Sequence, residues 1–283
     1  MKKKKLLIDV LIYIVLIVVL LVTLLPLIYT VLGSFKSNME ILVHPDRLLP
    51  LEPTLASYKE IFTSEKMDFL RMLSYSVYFT LASTAISVGV GTITGYVFAR
   101  ADFPGAKIIF ALFTATMFIS VSGITIYPVL RIMNAVGLGD SIHGVIVKTF
   151  FGVGVVRIYL VRGFVNQLPK ELDEAAMIDG CGFVSTFTRV ILPNLKPIVA
   201  TLTILAFKAN WNEWYLPTLF TASRPEQRTL MVGLQALKNT GDMAASWNLM
   251  LAGATFSMLP ILIVYGVCNK YFVEGITAGA VKG

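Results

Sequence analysis

Six long apolar blocks, separated by short polar segments, restrict this chain to a membrane-spanning architecture. A helix needs about 20 mainly apolar residues to cross a bilayer. Six blocks reach or approach that length: 6–31, 73–98, 107–130, 142–165, 198–220 and 248–272. Of the 283 residues, 56% are hydrophobic and only 14% are charged, which departs strongly from the usage of soluble domains. We therefore predict an all-α, polytopic membrane protein with six transmembrane helices.

The first apolar block follows four consecutive lysines, Lys2 to Lys5, and in this respect looks like a secretory signal. Its apolar run is longer than the roughly 7–15 residues usual in such signals, and no A-x-A-like cleavage site follows it. We predict that the block is retained as a membrane anchor.

Charge bias predicts the orientation of the helices. With the amino terminus inside, the inner segments carry thirteen Lys and Arg residues against seven Asp and Glu, whereas the outer segments are nearly balanced. Because cytoplasmic loops of membrane proteins are enriched in Lys and Arg, we predict that both termini lie in the cytoplasm. Segments 32–72, 131–141 and 221–247 then lie outside. Anionic membrane lipid accounts for the net basic charge, and no nucleic acid is required.

Features of several other protein classes are missing from the sequence. Cys181 and Cys268 lack metal-site spacing and are interpreted as small apolar residues. His44 and His143 belong to no catalytic motif, so we expect no enzyme activity and no bound metal. The apolar blocks contain no row of carboxylates for proton relay and no evident pair of half-helices. A second possible function, that of a stand-alone secondary transporter or channel for a small polar solute, is therefore kept only as an alternative.

One strongly polar segment, 169–197, interrupts the apolar blocks, and the orientation above places it in the cytoplasm. Pro169 followed by Glu171, Asp173 and Glu174 predicts a helix start, and Gly180 predicts its left-handed exit. A second short helix is expected at about 183–191, ended by Pro193. We predict a cytoplasmic two-helix element between the fourth and fifth spans, with 169–193 as the functional loop.

This element resembles the signature loop of ATP-binding-cassette importer permeases. Glu174-Ala-Ala, Asp179-Gly180 and, ten residues later, Ile191-x-Pro193 carry the resemblance. Segment 210–214 (Asn-Trp-Asn-Glu-Trp), Pro260 and the tail 275–283 agree with it. The chain is most similar to carbohydrate-uptake permeases of the maltose-system type, and the resemblance covers essentially all of residues 1–283 as a single transmembrane domain. It implies an importer in the cytoplasmic membrane of a bacterium that moves a sugar or oligosaccharide by alternating access.

The resemblance also implies partners. The loop of such permeases couples to a cytoplasmic ATPase through residues that correspond here to Glu174, Ala175, Ala176, Asp179, Gly180, Ile191 and Pro193. The chain has no phosphate-binding loop of its own, so ATP and Mg are expected on two copies of a separate P-loop ATPase. A second permease and an extracytoplasmic sugar-binding protein complete the assembly. The tail is expected to contact the ATPases through Gly279, Ala280, Val281, Lys282 and Gly283.

A polar and aromatic patch in the fifth block is the candidate substrate path. It comprises Asn210, Trp211, Asn212, Glu213, Trp214 and Tyr215. Ionisable residues within a membrane are often functional, yet Asn and Trp also pack helices together, and both interpretations stay open. Ser120, Ser122, Thr125 and Tyr127 are weaker candidates in the third block. Gly91-x-x-x-Gly95 in the second block predicts close helix packing, expected against the partner permease.

Overall fold

The computed structural model describes residues 2–63, 68–119, 123–152, 154–238 and 246–280, and these ranges contain helices and connecting segments but no strand. The α-helices are α1 Lys2–Gly33, α2 Asn38–Val43, α3 Ala56–Thr63, α4 Phe69–Arg100, α5 Ala106–Ala115, α6 Ile126–Ala135, α7 Ile142–Phe151, α8 Val155–Val165, α9 Glu171–Ile178, α10 Phe183–Thr186, α11 Leu192–Asn194, α12 Lys196–Trp211, α13 Tyr215–Phe220, α14 Leu230–Lys238 and α15 Trp247–Ala280. A 3₁₀ turn at Thr116–Phe118 extends α5, and Phe187–Ile191 is π-helical.

Among the described residues, three helices are long and apolar enough to cross a membrane without interruption. They are Ile8–Gly33 within α1, Phe69–Arg100 (α4) and Trp247–Lys270 within α15. These correspond to the first, second and sixth predicted blocks. Two bent helix pairs raise the number of candidate spans in the described residues to five: α7 with α8, bent by 44°, and Phe183–Asn194 with α12, bent by 82°.

The third, fourth and fifth predicted spans are interrupted, so their prediction as continuous helices is wrong. The third block divides into α5 and α6, the fourth into α7 and α8, and the fifth into α12 and α13. Pro128 and Pro217 are each the third residue of a new helix, α6 and α13. Proline is tolerated in a first turn but not in a helix interior. Gly152 is extended (φ −76°, ψ 112°) where α7 ends.

The chain divides into two compact units. The first contains residues up to Leu70 and Gly233–Leu259. Its core includes the mutually edge-on rings of Phe62, Phe69 and Phe256, with centroids 4.8–5.5 Å apart. Edge-to-face geometry is the favoured arrangement of aromatic pairs, and it joins α3, the start of α4 and α15 within this unit.

The second unit contains Arg71–Val232 and the chain from Pro260 onward. One of its apolar clusters surrounds Phe79, Ile142 and Phe220, and the other surrounds Tyr96 and Ile191. Since Phe79 and Tyr96 both belong to α4, this helix contributes to both clusters. The second unit holds both sites considered below.

Gly91 and Gly95 of α4 face α8 of the same chain. A Cβ at Gly91 would lie 3.1 Å from the Arg157 Cβ, and one at Gly95 would lie 2.5 Å from the Val161 Cβ. The predicted close packing is confirmed, but its assignment to the partner permease is wrong. Only hydrogen at these two positions lets the α4 and α8 backbones approach so closely.

Candidate functional site

The polar segment folds as the sequence predicts in its first half. Helix α9 has Glu171, Asp173 and Glu174 in its first turn, where negative charge complements the helix dipole. Gly180 follows the helix with φ +78°. This left-handed conformation is costly for residues with a Cβ, and it redirects the chain toward α10.

The second half differs from the expectation. The helical path runs through α10, the π-helical Phe187–Ile191 and α11, which ends at Asn194. Pro193 therefore does not end the second helix. It lies in the first turn of α11. A backbone N–H in a first turn has no partner within its own helix, so the missing N–H of proline costs no hydrogen bond there. The chain then turns by 82° into α12.

Asp173 anchors α9 to the end of α4. Its Oδ1 accepts a hydrogen bond from the Tyr96 hydroxyl at 2.9 Å, and its Oδ2 pairs with Arg100 Nε at 2.8 Å. Arg100 Nη2 also donates to the Leu168 carbonyl at 2.9 Å. The Arg100 and Asp173 side chains are only 8% and 9% exposed. Charge-assisted hydrogen bonds with buried partners are strong and directional.

The same end of α4 also holds α10 and the π-helical turn. The Tyr96 ring packs against Phe183 and Phe187, with centroid separations of 4.9 and 5.1 Å. Ile191 and Leu195 are fully buried in the same cluster. Residue Tyr96 thus contacts both short helices, one through its hydroxyl and the other through its ring.

The sequence alone does not predict this anchor, because Asp173 is one acidic residue among several on the predicted cytoplasmic helix. A signal was nevertheless available, because Tyr96 and Arg100 are four residues apart at the cytoplasmic end of a predicted helix and therefore share one face. The partner of that face, 73 residues further on, is not a local property of the sequence.

The residues predicted to contact an ATPase divide into two groups. Glu174, Ala175, Asp179, Gly180 and Pro193 are exposed. Ala176 and Ile191 are buried within the chain, with exposed fractions of 4% and 0%.

Three apolar side chains stand beside the exposed group. Met177, Ile178 and Val184 are 60%, 87% and 72% exposed. An exposed apolar patch rimmed by charges is a frequent property of protein-binding surfaces. We call the exposed residues Glu174, Ala175, Met177, Ile178, Asp179, Gly180 and Val184 the loop surface.

The predicted tail contact is described only in part. Gly279 and Ala280 are the last two residues of α15. Val281, Lys282 and Gly283 lie outside the described residues, as do Ser120 and Ser122 of the third block. These predictions are neither confirmed nor contradicted.

A cavity of about 620 Å³ opens in the second unit, and residues at or next to the three helix interruptions line it. Its lining comprises Ile119, Gly123, Thr125, Ile126, Val129, Lys148, Glu213, Tyr215 and Leu216. Non-helical backbone at membrane depth is stable where it is buried in protein or lines a cavity. The cavity therefore accounts for the stability of the non-helical segments that interrupt the predicted spans.

Some of the predicted substrate-path residues line this cavity, and others pack against neighbouring side chains. Glu213 and Tyr215 line the cavity. Asn210 donates to Thr84 Oγ1 at 3.2 Å, and Trp211 is 2% exposed and stacks on Phe207 at 5.8 Å. The Asn210 hydrogen bond joins α12 to α4, whereas the Trp211 stack lies within α12.

The two remaining residues of the patch do not line this cavity. Asn212 Nδ2 donates to the Lys208 carbonyl at 3.0 Å, and Trp214 stands edge-on to Tyr215 with centroids 5.6 Å apart.

Lys148 is the charged residue of the described cavity lining that the sequence patterns do not indicate. It lies in the last turn of α7, inside a block in which the sequence shows no periodic polar face. In the part of the chain that the structure describes, three of the predicted spans are interrupted, although the sequence has no evident pair of half-helices. The sequence signals for these interruptions were Pro128, Pro217 and the Gly152-x-Gly154 pair.

The helical membrane architecture, the two-helix loop and a lined cavity together define a membrane permease. The chain belongs to the family of binding-protein-dependent transport system inner membrane components, which it matches over residues 2–277. It is a bacterial membrane protein and a transport subunit, not an enzyme. The resemblance found in the sequence is confirmed.

Curated relatives support the same assignment. The chain is 31% identical to the sulfoquinovosyl glycerol transport system permease protein SmoH of Agrobacterium fabrum, covering 92% of this chain and 89% of that one. It is 30% identical to the inner membrane ABC transporter permease protein YcjP of Escherichia coli, with 92% of each covered. It is 31% identical to the maltodextrin transport system permease protein MdxG of Bacillus subtilis, with 81% of each covered.

A solved structure has the same fold. A chain from the crystal structure of a bacterial ABC transporter involved in the import of the acidic polysaccharide alginate superposes with a TM-score of 0.77. The match covers 94% of this chain and 96% of that chain, at 21% sequence identity.

Proposed function

We propose that this chain is one of two permease subunits in an ATP-driven importer that carries a sugar or oligosaccharide across the cytoplasmic membrane. Two of the relatives named above are permease proteins of sulfoquinovosyl glycerol and maltodextrin transport systems, which supports a saccharide substrate. A second permease, two copies of a P-loop ATPase and an extracytoplasmic sugar-binding protein are the proposed partners. ATP and Mg belong to the ATPase, and this chain binds no cofactor.

The observation that carries the proposal is the anchoring of an exposed helix to a long membrane helix. Asp173 is fixed to Arg100 and Tyr96 of α4, while Glu174, the next residue of α9, is exposed. A force applied to the loop surface is thereby transmitted to α4 through an ion pair and a hydrogen bond. ATP-driven closure of two ATPase subunits supplies such a force, and a rigid-body movement of packed helices is an established type of switch.

The loop surface has the composition that an ATPase contact requires. Glu174 and Asp179 provide charges for cationic partners, Ala175 permits close approach, and Ile178 and Val184 provide apolar area. Ala176 and Ile191 act from inside, by packing the two short helices onto the permease. Pro193 and the tail residues Gly279–Gly283 extend the contact with the ATPases.

The topology proposed is that of six membrane crossings within one domain, residues 1–283, with both termini in the cytoplasm. Interrupted helix pairs then form the third, fourth and fifth crossings. Lipid covers the apolar surface of α1, where Leu16, Leu20 and Val22 are more than half exposed. The cavity at the helix interruptions is the proposed passage for the saccharide, reached alternately from the two sides of the membrane.

Charge reversal on the loop surface tests this proposal. Glu174→Arg places a cation where the ATPase is proposed to present one, so the complete complex purified through a tag on this chain should lose its ATPase and its uptake activity. Asp102→Arg is the matched control, because Asp102 is an exposed acid in the α4–α5 connection, on the same proposed side of the membrane. Equal ATPase recovery and equal uptake in both variants would contradict the proposal.

A further inference from the structure

The cavity contains two side chains of opposite charge that are not equally available to a ligand. Lys148 and Glu213 are the charged residues of its described lining. Glu213 Oε1 accepts hydrogen bonds from the backbone N–H groups of Tyr215 and Leu216, at 2.8 and 3.1 Å. The carboxylate therefore caps the start of α13, and part of its hydrogen-bonding capacity is already in use.

The two charges do not neutralise each other directly. In the part of the chain that the structure describes, Lys148 and Glu213 form no ion pair with one another. A lysine ammonium has three donors and no acceptor. An ammonium at membrane depth is costly unless water or an anion satisfies it.

We infer that this cavity recognises a saccharide carrying a carboxylate or sulfonate, with the Lys148 ammonium as the counter-ion of that group. This inference rests on the proposed function and names the substrate class of its cavity. A ligand anion next to Lys148 replaces the water that solvates the ammonium, and the low dielectric constant of the surroundings strengthens the pair. A neutral sugar accepts hydrogen bonds from the ammonium but leaves its charge unbalanced.

The remaining lining suits a sugar ring. Tyr215 supplies a hydroxyl together with an aromatic face, and Thr125 also lines the cavity. A volume of about 620 Å³ falls in the range of small-ligand sites. The geometry therefore combines the Lys148 ammonium and the partly engaged Glu213 carboxylate with an aromatic face and hydroxyl groups.

Thiol labelling in the purified complete importer tests the inference. Thr125→Cys, in a chain that also carries Cys181→Ala and Cys268→Ala, places one reactive thiol on the cavity wall. After each rate is divided by the rate of the same reagent with a small free thiol, we expect this thiol to prefer an anionic methanethiosulfonate reagent over its cationic analogue by roughly fivefold or more. Digalacturonate at millimolar concentration should protect it, and the neutral disaccharide galactobiose should not.

The matched variants are Lys148→Gln and Lys148→Arg. The first should abolish both the preference for the anionic reagent and the protection by digalacturonate, whereas the second should keep both. A normalised preference for the cationic reagent, equal protection by the two disaccharides, or an unchanged result in Lys148→Gln would each overturn the inference. Labelling of the resting complex needs no ATP turnover, so its outcome is independent of the Glu174 test of coupling.

Discussion

Arg100 at the cytoplasmic end of α4 and Asp173 in the first turn of α9 form a buried ion pair, with 2.8 Å between Arg100 Nε and Asp173 Oδ2. The pair joins residues 73 positions apart and lies at the junction between a membrane-spanning helix and the loop surface. Any displacement of α9 that keeps the pair intact must also displace the end of α4. The mechanical path of the proposed transport cycle therefore begins at this contact.

Removal of the carboxylate should be strongly destabilising. Asp173→Ala leaves the Arg100 guanidinium buried without its anion, and breaking a buried pair from one side costs about 3 kcal/mol. We expect a lower thermal unfolding midpoint of the purified complex and a loss of ATP-dependent uptake. Glu171→Ala, at an exposed position of the same helix, is the control and should change stability by less than about 0.5 kcal/mol. Similar midpoints for the two variants would show that the pair is not a structural anchor.

The Tyr96 hydroxyl and the Tyr96 ring should make separable contributions. Tyr96→Phe removes the hydrogen bond to Asp173 Oδ1 and keeps the contacts with Phe183 and Phe187, so a loss of about 1 kcal/mol is expected. Tyr96→Ala also removes the ring packing and should cost about 3 kcal/mol or more. Chemical unfolding of both variants gives the comparison. If Tyr96→Phe is as damaging as Tyr96→Ala, the ring contributes little.

The long uninterrupted helices and the acidic α9 were predictable because their determinants are local. A run of apolar residues, an acidic first turn and a glycine exit are each contained in a few consecutive positions. The anchor on Asp173 and the inward side of Ala176 depend on tertiary contacts with α4 and the π-helical turn. Sequence periodicity contains no information about which remote helix end supplies the partner.

The interrupted spans show a different limit of the sequence. Hydropathy reports whether a segment is apolar, and blocks 107–130, 142–165 and 198–220 are apolar on average. Whether the helix continues depends on single residues such as Pro128, Pro217 and Gly152, whose effect disappears in an average. Lys148 was missed for the same reason, because one cation does not alter the hydropathy of its block.

Gly95 and Gly89 both belong to α4, but only Gly95 packs closely against α8. At Gly95 a new Cβ would lie 2.5 Å from the Val161 Cβ and 3.1 Å from the Ile158 carbonyl oxygen, whereas at Gly89 no atom lies within 4 Å. Gly95→Ala should therefore separate the two helices and cost about 2 kcal/mol. Gly89→Ala should be neutral or slightly stabilising, since alanine favours the helix. Thermal unfolding of the complex distinguishes the two, and equal midpoints would contradict close α4–α8 packing.

Gly180 and Gly182 provide a test of the loop conformation, because a Cβ would meet no atom within 4 Å at either position. They differ in backbone conformation: Gly180 has φ +78°, and Gly182 has φ −75°. Gly180→Ala should cost about 1 kcal/mol because a Cβ disfavours the left-handed region, and the resulting shift of Asp179 should weaken ATPase recovery. Gly182→Ala should change stability by less than about 0.5 kcal/mol. Alanine is less favourable than glycine at the residue before a helix, but it also reduces the conformational entropy of the unfolded chain. Unfolding midpoints and the ATPase content of the purified complexes check both variants. If the two substitutions behave alike, the left-handed turn at Gly180 does not determine how the loop surface is presented.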